Sequence, residues 1–160
     1  MRLVPAELRL LDAALESDAD LARELGGIEV APGWNSFPEA LRATRDAVAA
    51  DPESVAWGTR LFVDGETLVG WGGFKGAPAK GVVELGYEIA PEHQGRGLAT
   101  DAVRELIVEA HAAGEVRSVV AHTLPEHNAS TRVLEKNGFV HDGEVEDGED
   151  GTVWRWRLRR

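Results

Sequence analysis

Gly86-Tyr87-Glu88-Ile89-Ala90-Pro91-Glu92-His93-Gln94-Gly95-Arg96-Gly97-Leu98-Ala99-Thr100 is the stretch from which the fold follows. Its first residues alternate as a strand, Pro91 ends that strand, and a glycine-bearing loop opens a long helix. Glycine lets a backbone come close to a ligand, and the first turn of a helix leaves several N–H groups unpaired. Those amides and the helix dipole favour an anion by about 0.3–1 kcal/mol per charge at an exposed end. Arg96 can add a charge-assisted bond. The stretch predicts a cradle for phosphate or pyrophosphate, although glycine pairs before helices also serve tight packing.

Working outward, 82–90 reads as a strand and 97–113 as a helix that buries Leu98, Val103, Leu106, Ile107 and Ala110 and stops at Gly114. Val116 to Ala121 is a short buried strand, and Ala129 to Lys136 a short helix stopped by Asn137-Gly138. The strand–helix–strand unit predicts a right-handed crossover with its two strands parallel. Upstream, residues 56–63 and 67–74 alternate on either side of Asp64-Gly65, a hairpin signal. Leu8, Leu11 and Leu15 make a helical stripe behind Pro5, Asp18 to Leu25 continues it, and Gly26-Gly27 ends it. Ser36 and Glu39 read as a capping box for a helix running to about Ala50, which Asp51-Pro52 breaks. Val140 to Asp150 and Thr152 to Arg160 read as a last hairpin. In it an acidic turn faces a strand with Trp154, Trp156 and Leu158 on one side and Arg155, Arg157 and Arg159 on the other. The whole is α+β: a mixed, mostly antiparallel sheet flanked by helices, in a single domain over 1–160.

Composition removes several classes of function. Lys plus Arg number 17 against 28 Asp plus Glu, a formal net charge of −11. That balance argues against binding a nucleic-acid backbone or an anionic membrane surface. With no cysteine, disulfides, thiolate zinc sites and cysteine nucleophiles are excluded. The histidines, His93, His111, His122, His127 and His141, form no H-x-x-x-H pair, so no metal is expected. No apolar run is long enough to span a bilayer and no leader is apparent, so a cytoplasmic protein is expected.

Two nucleotide-binding patterns fit the loop badly. A Walker-type loop needs Lys-Ser or Lys-Thr after its last glycine, where Leu98-Ala99 stand. The dinucleotide fingerprint needs a third glycine and an acid ending the next strand, which ends at His122. The run Gln94-Gly95-Arg96-Gly97-Leu98-Ala99, by contrast, resembles the Q-x-x-G-x-G/A signature of the GNAT acyl-CoA N-acyltransferases. The resemblance extends through Glu84-Leu85-Gly86-Tyr87, Asn128-Ala129-Ser130 and Glu135-Lys136-Asn137-Gly138-Phe139. Its local flavour is that of the ribosomal-protein N-terminal acetyltransferases.

The resemblance implies acetyl-CoA as cosubstrate, with its pyrophosphate on Gln94, Gly95, Arg96, Gly97, Leu98, Ala99 and Thr100. The pantetheine arm would lie where the two parallel strands splay, beside Ile89, Ala90 and Asn128, with an amide near Ile89 on the thioester carbonyl. It also implies direct attack by a primary amine of a small molecule or a peptide. On the strand face shared by Val82, Glu84, Gly86 and Glu88, Glu84 matches a family glutamate and is the first candidate base. Glu88 is the second and a candidate substrate contact; either carboxylate equally fits a solvated strand face or a pair with an arginine. The tyrosine that often protonates the departing thiolate in this superfamily is replaced by Leu134, which leaves Ser130 as the candidate acid, or an ordinary helix-start residue. His122 could face the cleft, and Trp34 is the candidate wall of an acceptor pocket. The missing tyrosine keeps a second reading in view, a non-catalytic acyl-CoA-binding regulatory module. The excess of acid suits a cationic acceptor. The chain is expected to be a monomer, or a dimer through a last-strand edge carrying Trp154 and Trp156.

Overall fold

The computed structural model describes all residues, 1–160. Strand β1 (Arg2–Pro5) leads into helices α1 (Leu8–Glu16) and α2 (Asp18–Glu24), short strand β2 (Glu29–Val30) and helix α3 (Pro38–Ala50). Then come β3 (Thr59–Asp64), β4 (Thr67–Phe74) and β5 (Val82–Ile89), followed by α4 (Leu98–Ala112), β6 (Ser118–Thr123), α5 (Ala129–Lys136), β7 (Val140–Asp147) and β8 (Gly151–Arg159). The strands form an 8-stranded sheet in the order β1-β3-β4-β5-β6-β8-β7, with β2 paired to β4 off that path. The predicted parallel pair is β5–β6, and a second parallel pairing joins Glu29–Val30 to Thr67–Leu68.

Alternation along the strands splits the core into two layers. Phe62, Val69, Val83, Leu85 and Ile89 face α4 and α5, where they meet Leu98, Val103, Leu106 and Leu134. Leu61, Val63, Leu68 and Trp71 face α1–α3, where they meet Leu10, Leu11, Leu21, Leu41 and Val48. The second layer covers only the β3–β4 side of its face. Glu84, Val120, His122, Arg155 and Arg157 lie on the same face farther along the sheet, outside the core of that layer.

Several expectations are corrected. The first strand of the meander does not begin at 56: residues Pro52–Trp57 form a 3-10 turn, and β3 starts at Thr59. The cause is Arg60, 6% exposed, whose guanidinium takes the carbonyls of Val55, Ala56, Gly58 and Thr59 and the carboxylate of Glu109 on α4. A single buried cation thus curls the chain around itself, and the charge is neutralised by Glu109, as burial requires. Ser36 does not cap α3: the helix starts at Pro38 with Phe37 at the N-cap, and Asn35 Oδ1 accepts the Phe37 amide instead. The strand carrying Trp154 and Trp156 is not an edge, because β8 lies between β6 and β7. Its arginines do meet an acid, since Asp142 accepts from both Arg155 and Arg157.

The approach of β4 to β5 depends on glycine. A Cβ on Gly70 would sit 2.1 Å from the Glu88 carbonyl oxygen, and one on Gly72 would sit 2.4 Å from that of Gly86. Gly72→Ala therefore pushes β4 and β5 apart, at a cost of about 1–3 kcal/mol. Urea unfolding should show its midpoint well below the parent's; an unchanged midpoint would contradict this close packing.

Candidate active site

The sheet comes apart at one place. Strands β5 and β6 pair only over Val82↔Ser118, Val83↔Val119 and Glu84↔Val120, although β5 runs on to Ile89 and β6 to Thr123. Successive amides of a strand point to opposite edges. The Ala90 amide donates to Val69 on the β4 side (2.7 Å), so the amide of Ile89 points the other way, into the gap. Ala90 itself is fully buried and its amide is committed. Gln94 Nε2 donates to the Ile89 carbonyl (2.9 Å) and fixes the loop against the mouth of the gap.

Beyond Gln94 the main chain is rich in unused donors. The amides of Gly95, Arg96, Gly97, Leu98, Ala99 and Thr100 donate to no acceptor within the protein; the first amide to do so is that of Asp101, to Gly97. Gly95 (φ 75°) and Gly97 (φ 78°) are left-handed, the conformation that turns these amides to one side. A Cβ at either position meets nothing within 4 Å, so no neighbouring part of the chain closes over these glycines. Arg96 is exposed beside it. Donors of this kind at the start of a 15-residue helix suit a diphosphate, so the residues present fit the cosubstrate expected of them.

Across the gap, Asn128 caps α5: its Oδ1 accepts the Thr131 amide and its own amide donates to Thr131 Oγ1. The cap leaves the Asn128 side-chain NH2 without a partner in the protein. Ser130, in the first turn, is in contact with Tyr87 of β5, whose hydroxyl lies 3.0 Å from Ser130 Oγ and 3.1 Å from its carbonyl. Leu134 is fully buried in the core. Desolvation raises the Tyr87 phenol from 10.0 to about 12, outweighing the opposing effect of its hydrogen bond with Ser130.

The two strand glutamates have different surroundings. Glu84 Oε1 accepts from Lys75 Nζ (3.0 Å) and from His122 Nδ1 (2.9 Å). Burial alone would raise the Glu84 carboxyl, but the hydrogen bonds from Lys75 and His122 together hold it below the ordinary glutamate value. Glu88 is tied down at both oxygens: Trp71 Nε1 donates to Oε2 (2.8 Å), and the Ser36 amide (3.0 Å) and hydroxyl both donate to Oε1. Its observed task is to pin the loop before α3 to the sheet. A groove of about 430 Å³ lies over this face, lined by Phe37, Trp71, Lys75, Gly86, Tyr87 and Glu88 among others. Phe37 is 59% exposed at its rim. Trp34 does not line this groove. It is buried behind Trp71, edge-on at 5.9 Å, with Nε1 bonded to Asp18, and it faces a separate hollow between the first three helices.

The structure thus gathers Glu84, Glu88, Ile89 and the 94–100 loop around one gap, with Asn128 and Ser130 on its far side. Two groups there escaped the sequence reading as a unit: the Glu84–His122 pair, and Tyr87 against Ser130. Both were accessible in principle, because strand alternation places Glu84 and His122 on one face. Their contact depends on how far the strands diverge. No set of three or more His, Cys, Asp or Glu side chains is placed to hold a metal ion, and no helix is long and apolar enough to cross a membrane.

Comparison with known proteins bears on the family and the fold. The family model described as an acetyltransferase (GNAT) domain matches residues 2–140. An uncharacterized N-acetyltransferase of Bacillus subtilis, YjdG, is 29% identical over 145 residues, covering 88% of this chain and 86% of its own length. The ribosomal-protein-serine acetyltransferase of Escherichia coli is 31% identical over 72 residues, covering 45% of this chain and 40% of that one. Among solved structures, RimL, a ribosomal-protein alpha-N-acetyltransferase in complex with coenzyme A, superposes with a TM-score of 0.72 at 17% identity. That superposition covers 98% of this chain and 92% of the other.

Two measurements check the site. Tyr87 is the only tyrosine, so the ultraviolet absorbance of tyrosinate reports it alone. Its midpoint should lie near 12 rather than 10, and stability present below pH 10 should be lost as pH rises through 12. A midpoint near 10 would mean that the phenol is not buried against α5. Gly97→Glu puts a side chain and a negative charge into the cradle, and calorimetry should show coenzyme A affinity reduced by more than about 100-fold, roughly 2.7 kcal/mol. Gly97→Ala, which carries only the backbone strain, should lose less; equal retention of affinity by both variants would contradict the placement of the diphosphate.

Proposed function

This chain belongs to the GNAT acetyltransferase family and is an acetyl-CoA-dependent N-acetyltransferase, and we propose that it acetylates a primary amine by direct attack. The observation that carries this reading is the run of unused amides from Gly95 to Thr100 at the mouth of a gap between parallel strands. When bound, acetyl-CoA supplies an acetyl group activated as its thioester. The residues of this chain do the rest. Amides 95–100 and Arg96 hold the diphosphate, and Gln94 keeps that loop in register with Ile89. Asn128 offers its free NH2 to the pantetheine arm, and Ala90 contributes only a packed surface to it. The Ile89 amide, aimed into the gap, donates to the carbonyl oxygen as negative charge builds there. Holding the reacting carbon and nitrogen together in the gap supplies most of the advantage over solution.

Glu84 organises removal of the proton from the incoming ammonium, and Ser130 returns a proton to the departing sulfur. Tyr87 supports Ser130: its hydroxyl bridges Oγ and the carbonyl of the same residue, so the serine is held rather than free to rotate. The acceptor enters along the groove beside Phe37 and Trp71, whose rings suit the methylene stem of an alkyl amine. Glu88 shapes this entry by fixing Ser36, and Trp34 backs Trp71 from behind. A net charge of −11 draws a cationic acceptor toward the protein, whether a peptide amino terminus or a polyamine. The protein works in the cytoplasm, as a monomer or homodimer, without nucleic acid or metal.

An acceptor screen tests the reading. With acetyl-CoA present, release of free thiol is followed with peptides of different first residues, polyamines and aminoglycosides. At least one primary amine should be acetylated with saturation kinetics. Ser130→Ala should lower kcat by about 100-fold or more, with little change in acetyl-CoA affinity. Tight binding of acetyl-CoA with no turnover on any amine would overturn it.

A further inference from the structure

We propose that His122, oriented by Glu84, is the group that takes the proton from the acceptor ammonium, with Nε2 as the accepting atom and Glu84 as a positioning residue. The proposal rests on the acetyl-transfer reading and names the base within that same site.

Three observations lead to it. His122 lies on β6 two residues past Val120, the last residue that pairs with β5, and on the same face. Its ring spans the widening gap to reach Glu84 Oε1 at 2.9 Å, so the pair lies at the point where the strands part. Lys75, which lines the acceptor groove, donates to the same oxygen, so groove and pair are contiguous.

The chemistry of the pair fixes the proton. Glu84 is held ionised by its partners and an ionised carboxylate can only accept. His122 Nδ1 must then carry the hydrogen that lies between them, and in the neutral ring the lone pair is left on Nε2. That nitrogen makes no hydrogen bond within the protein, and the side chain keeps 25% of its surface exposed. Histidine is also the residue type best suited to exchange a proton near neutral pH. The rival carboxylates are poorly placed for the task. Glu84 carries two donors on one oxygen and is the weaker base for it, and Glu88 spends both oxygens on Trp71 and Ser36.

The proton count closes. The ammonium gives one proton to Nε2, and the nitrogen lone pair so freed forms the C–N bond. The C–S bond breaks with its electrons on sulfur, and the second nitrogen proton ends on that sulfur by way of Ser130. The imidazolium returns the first proton to solvent.

Every charged group facing the ring belongs in the test. Glu84 reaches it from β5, Lys75 from the end of β4, and Arg155 from directly across on β8. Arg157 lies next along β8, Asp142 of β7 holds both arginines, and Asp147 is near enough to feel the ring's charge.

The ring tautomer is read by nitrogen NMR on the full chain, independently of any acceptor. Glu84 should impose a protonated Nδ1 and a bare Nε2 on the neutral ring; a protonated Nε2 would overturn the proposal. Kinetics with acetyl-CoA use spermidine and a serine-starting hexapeptide as acceptor probes. His122→Asn should lower kcat/KM by about 100-fold or more and abolish the rise of log kcat/KM with pH that a histidine base produces. Its affinity for acetyl-CoA, measured by calorimetry, should stay within about twofold, a change under RT ln 2. Glu84→Gln, whose amide oxygen can still accept from His122 Nδ1, should lose less than His122→Asn. If His122→Asn keeps rate and pH profile while Glu84→Gln loses both, Glu84 is itself the base and the assignment falls. A parent protein inert toward both probes would count against the acetyl-transfer reading, and the tautomer alone would then decide the assignment of His122.

Discussion

Two parallel strands that pair over only three rungs must leave main-chain groups facing a gap, and buried main-chain groups need partners. Past Glu84 and Val120, β5 is released by β6 on one edge but still held by β4 on the other, over Gly70 to Phe74. The strand therefore keeps one edge spare. On that edge the Ile89 carbonyl is taken by Gln94 and the Ile89 amide faces the opening. The glycines of β4 matter here, because Gly70 and Gly72 let β4 hold β5 closely enough to make up for the lost neighbour. The long helix α4 begins where this strand ends, so its spare amides and those of the strand border one continuous channel.

The charged side chains around the channel are arranged in closed sets rather than as a diffuse field. Asp142 takes Arg155 and Arg157, Glu88 takes Trp71 and Ser36, and Arg60 takes Glu109 with the carbonyls of its own turn. Each set pairs opposite charges or polar groups and ties one piece of the chain to another. The set of Lys75, Glu84 and His122 leaves the imidazole Nε2 unpaired, and it stands where the strands part.

Much of this could be read from the residues. The loop and helix at 94–113 were legible because Pro91, Gly95 and Gly97 punctuate an otherwise strong periodicity, and the crossover rule then placed β5 and β6 side by side. The strand β1 was not legible, since Arg2–Pro5 is too short to show alternation and ends in proline. Nor was the 3-10 turn at Pro52–Trp57, which depends on the long-range pairing of Arg60 with Glu109. Ser36 followed by Glu39 reads locally as a cap, yet the serine is claimed by Glu88, 52 residues away in sequence. Within the site, alternation located Glu84 and Glu88 on one face but could not tell them apart. Their different tasks come from partners on other strands: Lys75 and His122 for one, Trp71 and the loop before α3 for the other.

The central claim is that the main-chain nitrogens of Gly95 to Thr100 are the grip on a diphosphate. Amide hydrogen exchange, residue by residue, with and without saturating acetyl-CoA, addresses it most directly. The account predicts that these amides, which have no partner in the protein alone, become strongly protected on binding, while amides at the far ends of β7 and β8 are unchanged. Tight binding that leaves the exchange of 95–100 untouched would place the cosubstrate elsewhere and contradict the account.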